Sequence, residues 1–326
     1  MAPVESPFAG LVLAIFGPTA TGKSAVAEAV SAQIPAEMVS ADSMQVYRGL
    51  RLLTNQPAAP TRLTAIWALD HQASVGEYAA LAHKAVDEIL ASGRTPIVTG
   101  GTGLYLRAAL TDLELPPPPA PGARKRFERL YDERGPEKAH ALLAERDPAA
   151  AAAVHPNDRR RVVRALELAE AGVSLAPNES RLWTEETRHP TLLFGLEVPK
   201  DVLDARIAQR TRAMFDAGVE EEVARAGAGP LSATARQVIG LREVTELSRD
   251  GAVAAITRRT VQYAAYQRKW MRRVPGLIAV DGDRPAEAVA QELLETAARR
   301  IPHSGQQERT SSGVKEGKAD TTGHAV

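Results

Sequence analysis

The sequence predicts an α/β protein: a parallel sheet of the P-loop (phosphate-loop) type, flanked by helices, with a helical insertion domain. The apolar run Leu11-Val12-Leu13-Ala14-Ile15-Phe16 reads as a strand buried on both faces. It runs into a glycine loop and then a helix with Val26, Val30 and Ile34 on one side. Strand and helix patterns go on alternating, as parallel sheets require, until Leu115-Pro116-Pro117-Pro118-Pro119-Ala120-Pro121 breaks the pattern with a stiff segment that no sheet accommodates.

In chain order, Glu37-Met38-Val39-Ser40-Ala41 is a second strand that delivers Asp42-Ser43 to its carboxyl end. Residues 76–92 read as a helix through Tyr78, Leu81, Ala85 and Ile89, and Gly93 stops it. Thr95-Pro96-Ile97-Val98-Thr99 is a strand leading into Gly100-Gly101. Residues 124–171 are rich in Ala, Arg and Glu and read as helices, and Thr191 to Val198 returns to the sheet. Helices resume at Asp201, and Leu277-Ile278-Ala279-Val280-Asp281 is a late strand before a final helix. The expected organisation is therefore a core of residues 8–114 and 190–300, an insertion at 115–189, and a tail at 302–326. The tail is too polar to order itself. No internal repeat is visible.

Composition narrows the function classes. The 326 residues are 44% hydrophobic, enough for a sizeable core. Lys+Arg and Asp+Glu both number 40, so net charge gives no support for nucleic-acid binding, which must rest on local clusters. Without cysteine, disulfides and cysteine-ligated zinc are excluded, and a reducing compartment fits. Residues 1–10 carry no Lys or Arg, and the run at 11–16 is too short to span a membrane. A cytoplasmic protein with no membrane association is expected.

Gly17-Pro18-Thr19-Ala20-Thr21-Gly22-Lys23-Ser24 matches G-x-x-x-x-G-K-[ST] in full, between a strand and an amphipathic helix. Backbone N–H groups of such a loop wrap an anion, and the helix N-terminus adds positive potential. Lys23 can bridge terminal phosphates and the Ser24 hydroxyl can ligate Mg²⁺. The motif reports phosphate and is shared with nucleotide- and ATP-binding proteins, so it leaves the chemistry open. Ligands of parallel α/β sheets bind at the carboxyl ends of the strands, which should bring Asp42-Ser43-Met44-Gln45 and Gly100-Gly101-Thr102 to the same crevice. From position alone, Asp42 is equally a proton acceptor, a Mg²⁺ ligand or a helix cap. Thr102 reads first as a capping hydroxyl and second as a hydrogen-bond donor to substrate.

Taken together with Gly17 to Ser24, the blocks Asp42-Ser-Met-Gln-Val-Tyr47, Gly100-Gly-Thr-Gly-Leu-Tyr105, His155-Pro-Asn-Asp-Arg-Arg-Arg161 and Arg236-Gln-Val-Ile-Gly-Leu-Arg-Glu243 occur in an order that resembles the tRNA dimethylallyltransferase family. The resemblance runs from about residue 11 to residue 300. It implies that the phosphate loop holds dimethylallyl diphosphate and that the prenyl group moves to N6 of the adenine 3′ to the anticodon. Asp42 is then the general base, and Thr102 and Arg236 steady the diphosphate. Asp42, Ser43, Met44, Gln45, Thr102, Arg124, Arg161, Arg164 and Gln237 face the tRNA anticodon stem-loop. Mg²⁺, with Ser24 as a ligand, is the implied cofactor, and a monomer without an obligate protein partner is the implied state.

Departures from the family pattern fall on the RNA side. The usual lysine after Tyr47 is Gln56, a His-His block reads Trp67-Ala68-Leu69-Asp70, and basic positions of a late helix are Val261, Ala265 and Tyr266. Basic residues gather at Arg124, Lys125, Arg126 and Arg129, at Arg159, Arg160, Arg161 and Arg164, and at Arg258, Arg259, Arg268, Lys269, Arg272 and Arg273. Such clusters are either RNA-phosphate contacts or solvated helix faces. Tyr263, Tyr266 and Trp270 are bases' stacking partners or a core stripe, with Trp270 leaning to core. The competing readings are a small-molecule kinase with a basic lid, a prenyltransferase of free adenine nucleotides, and a nucleotide-switched RNA-binding module.

Overall fold

The structure, a computed structural model, describes residues 5–113, 115–176 and 181–300. The tail expected at 302–326 lies outside the described residues. Its strands are β1 (Val12–Phe16), β2 (Ala36–Ser40), β3 (Thr61–Arg62), β4 (Thr95–Gly100), β5 (Thr191–Glu197) and β6 (Ile278–Asp281). They form one sheet in the order β3-β2-β4-β1-β5-β6, and every pairing is parallel. The central strand β1 places Ala14 opposite Val98 on one side and Leu193 on the other. The sequence shows no sign of β3, because a two-residue edge strand carries no periodicity to detect.

The alternation along β1 explains why the run is apolar throughout. Val12, Ala14 and Phe16 enter one hydrophobic core and Leu11, Leu13 and Ile15 the other. Helices α1 (Lys23–Ser31) and α12 (Ala286–Arg300) cover the second face through Val26, Val30, Leu293 and Leu294. The first face is covered by α2 (Val75–Ala91) and α3 (Gly103–Leu110), with Tyr78, Ile89 and Leu106 fully buried. Ser74 caps α2 by accepting from Glu77 N–H at 3.2 Å, and Gly93, at φ +73°, follows its end.

Among the described residues the insertion contains the α-helices α4 (Ala123–Arg134), α5 (Pro136–Arg146), α6 (Pro148–Ala153) and α7 (Arg159–Glu170). They build a core of their own from Phe127, Tyr131, Leu143, Val162 and Leu166. Glu167 of α7, its side chain fully buried, accepts from Arg124 at 2.8 Å and from Arg164 at 3.0 Å. Arg164 also donates to the Pro116 and Pro117 carbonyls, fastening α7 to the proline segment that leaves the core. After β5 the chain forms α8 (Lys200–Asp216), α9 (Val219–Gly227), α10 (Leu241–Glu246) and the long α11 (Arg249–Met271). Leu203 and Ile207 of α8 pack on Ala264 of α11. That packing stands both helices beside the carboxyl ends of the strands.

Candidate active site

The loop from β1 to α1 owes its shape to local chemistry. Gly22 has φ +88°, a left-handed conformation that side chains resist, and it begins α1 with no side-chain cap. The first turn of α1 is thereby left open at Lys23, Ser24 and Ala25, which line a cleft of about 490 Å³. Thr21 Oγ1 donates to the Pro18 carbonyl at 2.9 Å, and Lys23 Nζ donates to the same oxygen at 2.6 Å. Burial, partly offset by Asp42, pulls the Lys23 ammonium down to about 8, and nearby Arg210 pushes in the same direction as burial.

Asp42, just past β2, lines this cleft. Its Oδ1 accepts from Met44 N–H at 2.9 Å, so the carboxylate heads a tight turn rather than capping a helix. Thr102 precedes α3, yet its hydroxyl makes no capping bond. It accepts from Ser43 N–H at 3.2 Å, lies 3.3 Å from Ser43 Oγ, and meets the Tyr263 hydroxyl of α11 at 3.2 Å. The capping reading of Thr102 gives way to one in which its hydroxyl joins β2, β4 and α11 at one point. Burial and the neighbouring Asp42 charge raise the Tyr263 hydroxyl above its usual range, so it stays a neutral donor.

Other groups complete the cleft. Gln267 of α11 is buried, donates to the Gly101 carbonyl at 2.8 Å and accepts from Thr19 N–H at 2.9 Å, bracing the phosphate loop against the β4 turn. Arg206 and Arg210 of α8 line the cleft with the loop. Arg206 pairs with Asp283 at 2.6 Å. The Arg210 Nε is buried without a hydrogen-bond partner among the described residues, and desolvation lowers the guanidinium from its usual value while Asp42 opposes the shift. A buried cation with an unmet donor, beside a lysine and a phosphate-type loop, is suited to an anion.

Of the residues singled out by sequence, Thr19, Ala20, Gly22, Lys23, Ser24, Asp42 and Gln45 line the cleft. Gly17, Pro18 and Thr21 sit buried behind it as scaffold, while Ser43 and Thr102, hydrogen-bonded to each other next to Asp42, are not among the lining residues. Met44 instead packs on the core. Arg236 and Gln237 stand exposed on a short turn (Ala235–Gln237), where Arg236 Nε donates to the Leu231 carbonyl at 3.2 Å, and neither is among the lining residues. Gln56, at the position of the usual lysine, donates to the Tyr47 carbonyl at 2.7 Å and pins the loop from within. In the insertion, Arg124 and Arg164 are taken up by Glu167, Arg126 by Glu170 and Arg159 by Asp132. Lys125, Arg129, Arg160 and Arg161 are exposed with no side-chain ion pair among the described residues.

Sequence reading missed Arg206, Arg210 and Gln267. The arginines did leave a trace, two cations spaced i,i+4 on one helix face. Trp270 is settled as packing: a Cβ at Gly103 would come within 2.3 Å of its ring, and Trp183 stacks on it with centroids 5.0 Å apart.

A parallel sheet, a G-x-x-x-x-G-K-[ST] loop at the end of its central strand and a carboxylate on the same cleft define an α/β protein of the P-loop type. The IPP transferase family profile matches residues 45–274, and the isopentenyl transferase profile matches residues 10–78. The tRNA dimethylallyltransferase of Streptomyces coelicolor is 38% identical over 284 residues, covering 83% of this chain and 90% of that one. That of Thermobifida fusca is 35% identical over 292 residues, covering 84% and 91%. The solved tRNA isopentenylpyrophosphate transferase of Bacillus halodurans matches with a TM-score of 0.61 at 28% identity, covering 89% of this chain and 98% of that one. This chain belongs to the tRNA dimethylallyltransferase family.

Proposed function

We propose that this chain transfers the dimethylallyl group of dimethylallyl diphosphate to the exocyclic N6 of the adenine 3′ to the anticodon in tRNA, releasing diphosphate and N6-isopentenyladenosine. The observation that carries this reading is the shared cleft: Asp42 lines it together with the phosphate loop and Arg210, its charge is felt by Lys23 and Arg210, and the adjoining Ser43 leads to Thr102 and Tyr263. A phosphate loop without such a carboxylate would suit many reactions. A loop that grips a leaving diphosphate beside a free carboxylate oxygen suits alkylation of a weakly basic amine.

Adenine N6 attacks C1 of the allylic donor as the C1–O bond breaks, and the electron pair leaves with diphosphate. The N6 proton passes to Asp42, whose second oxygen carries no hydrogen bond from the described residues. Loop N–H groups, Lys23 and Arg210 meet the charge that grows on diphosphate, and because they are already in place little reorganisation is needed. Arg210 here takes the position that the sequence suggested for Arg236. Thr102, held by Tyr263 and Ser43, would steady the diphosphate from beside the cleft.

The donor set also fits Mg²⁺. Among the described residues no group of three or more His, Cys, Asp or Glu could cage a metal. Mg²⁺ characteristically takes one or two protein oxygens and completes its shell with phosphates and water. The Ser24 hydroxyl, on the cleft, is the protein oxygen that would hold it. When bound it neutralises charge on the diphosphate.

The adenine must leave its stack to reach Asp42. The exposed cations Lys125, Arg129, Arg160, Arg161, Arg258, Lys269 and Arg272 supply phosphate contacts for the anticodon stem-loop. Arg124 and Arg164 contribute by holding the insertion's shape. The protein works as a monomer in the cytoplasm, without an obligate protein partner. No helix among the described residues is long and apolar enough to cross a membrane.

The deciding experiment incubates the protein with dimethylallyl diphosphate, Mg²⁺ and unmodified tRNA, then measures isopentenyladenosine by nucleoside mass spectrometry. Parallel reactions offer AMP as acceptor and ATP as donor. Product from tRNA alone supports the reading. Product from AMP, or consumption of ATP without prenyl transfer, moves it to another substrate class. Lys23 adds a pH signature. With its ammonium titrating at about 8, dimethylallyl diphosphate binding to the free protein should hold steady from pH 6.5 to ~7.5 and weaken above ~8 as the cation is lost. Calorimetric titration across this range checks the trend, and Lys23→Met should bind weakly throughout with the slope removed.

A further inference from the structure

We infer that Tyr266 is a stacking platform for a base flanking the reacting adenine, an inference that rests on the proposed tRNA reaction. Among the described residues the exposed large hydrophobic side chains are Val173, Leu247 and Tyr266, and Tyr266 is the most open at 55%. The ring has no ring-stacking or hydrogen-bond partner among the described residues. An aromatic face left in water on a helix that also lines the catalytic cleft calls for an occupant.

Helix geometry places it. On α11, residues three before and four after Tyr266 flank one side of it, and these are Tyr263 and Trp270. Tyr263 touches Thr102 at 3.2 Å and is close enough to Tyr266 to feel its charge. Residues four before and three after flank the other side, and these are Gln262 and Lys269. Lys269 is exposed and has no ion pair among the described residues, and the same holds for Arg258 on this helix and Arg272 just past its end. The Tyr266 ring thus stands between the Tyr263–Thr102 hydroxyl pair and a row of cations without ion pairs among the described residues. This juxtaposition of a π-face with cations matches a nucleotide, whose base stacks while its phosphate meets the ammonium.

Stacking also makes sense of the departure at this position, where the family pattern has a basic residue. A cation contributes attraction to phosphate, whereas an aromatic ring contributes to holding an unstacked loop open by replacing the neighbour the flipped adenine leaves behind. The ring is more than half exposed and belongs to none of the hydrophobic cores, so its removal separates binding from stability.

The test is steady-state kinetics of Tyr266→Ala, Tyr266→Phe and Tyr266→Trp with tRNA and dimethylallyl diphosphate as separately varied substrates. Tyr266→Ala should raise the KM for tRNA roughly 10-fold, as expected for one lost base–aromatic stack. Its kcat, its KM for dimethylallyl diphosphate and its thermal midpoint should be unchanged. Tyr266→Phe and Tyr266→Trp should restore the tRNA KM. An unchanged KM in Tyr266→Ala overturns the inference, and so does a Tyr266→Phe defect equal to that of Ala, which would assign the effect to the hydroxyl. If the unaltered protein itself prenylates no tRNA, the reaction has been misread, and that failure is seen before any variant is compared.

Discussion

Asp42→Asn should lower kcat with tRNA by roughly 10²–10⁴-fold, the range by which a positioned general base accelerates a reaction, with dimethylallyl diphosphate affinity altered far less. The substitution isolates proton transfer. An asparagine side-chain oxygen can still accept from Met44 N–H, as Oδ1 does at 2.9 Å, so the turn that presents Ser43 to Thr102 is kept. What disappears is the basicity of the second oxygen and the negative charge that Lys23 and Arg210 feel. Removing that charge favours an anion in the cleft, so diphosphate binding should hold or tighten while turnover collapses. Single-turnover rates with saturating tRNA, beside a direct donor titration, measure the two effects apart. Near-normal turnover in this variant would remove Asp42 from the chemistry.

Glu167→Gln should destabilise the insertion by about 3 kcal/mol, the lower end of what breaking a buried ion pair costs. The lower end applies because Arg124 and Arg164 remain 43% and 23% exposed and can recover some hydration. The Glu167 side chain itself is wholly buried, and it binds cations from α4 and from its own helix while Arg164 reaches on to Pro116 and Pro117. An amide of the same size keeps the packing but leaves two guanidinium groups without their counter-charge. Urea unfolding followed by circular dichroism should show the loss. Arg161→Ala, which removes an exposed side chain with no ion pair among the described residues, should stay within ~0.5 kcal/mol. Equal stability in the two variants would mean that the Glu167 cluster adds nothing to the fold.

The sequence alone determined most of the sheet and the place of the cleft. Strands buried on both faces must be apolar throughout, which makes β1, β4 and β5 visible, and the phosphate loop is a contiguous motif legible residue by residue. The carboxyl ends of parallel strands lie on one side of a sheet, which brings the segments of Asp42 and Thr102 to the same edge. What only tertiary structure decided is which side chains from distant helices complete that site. Gln267 meets Thr19 across 248 residues of chain, and Tyr263 meets Thr102 across 161. Arg210 enters because α8 packs on α11, while Arg236, closer to a recognisable motif, turns to the Leu231 carbonyl. The fate of the basic clusters was equally hidden. A run of arginines looks the same in sequence whether it meets RNA or a buried glutamate, because charge is a property of the residue and its neutralisation a property of the packing.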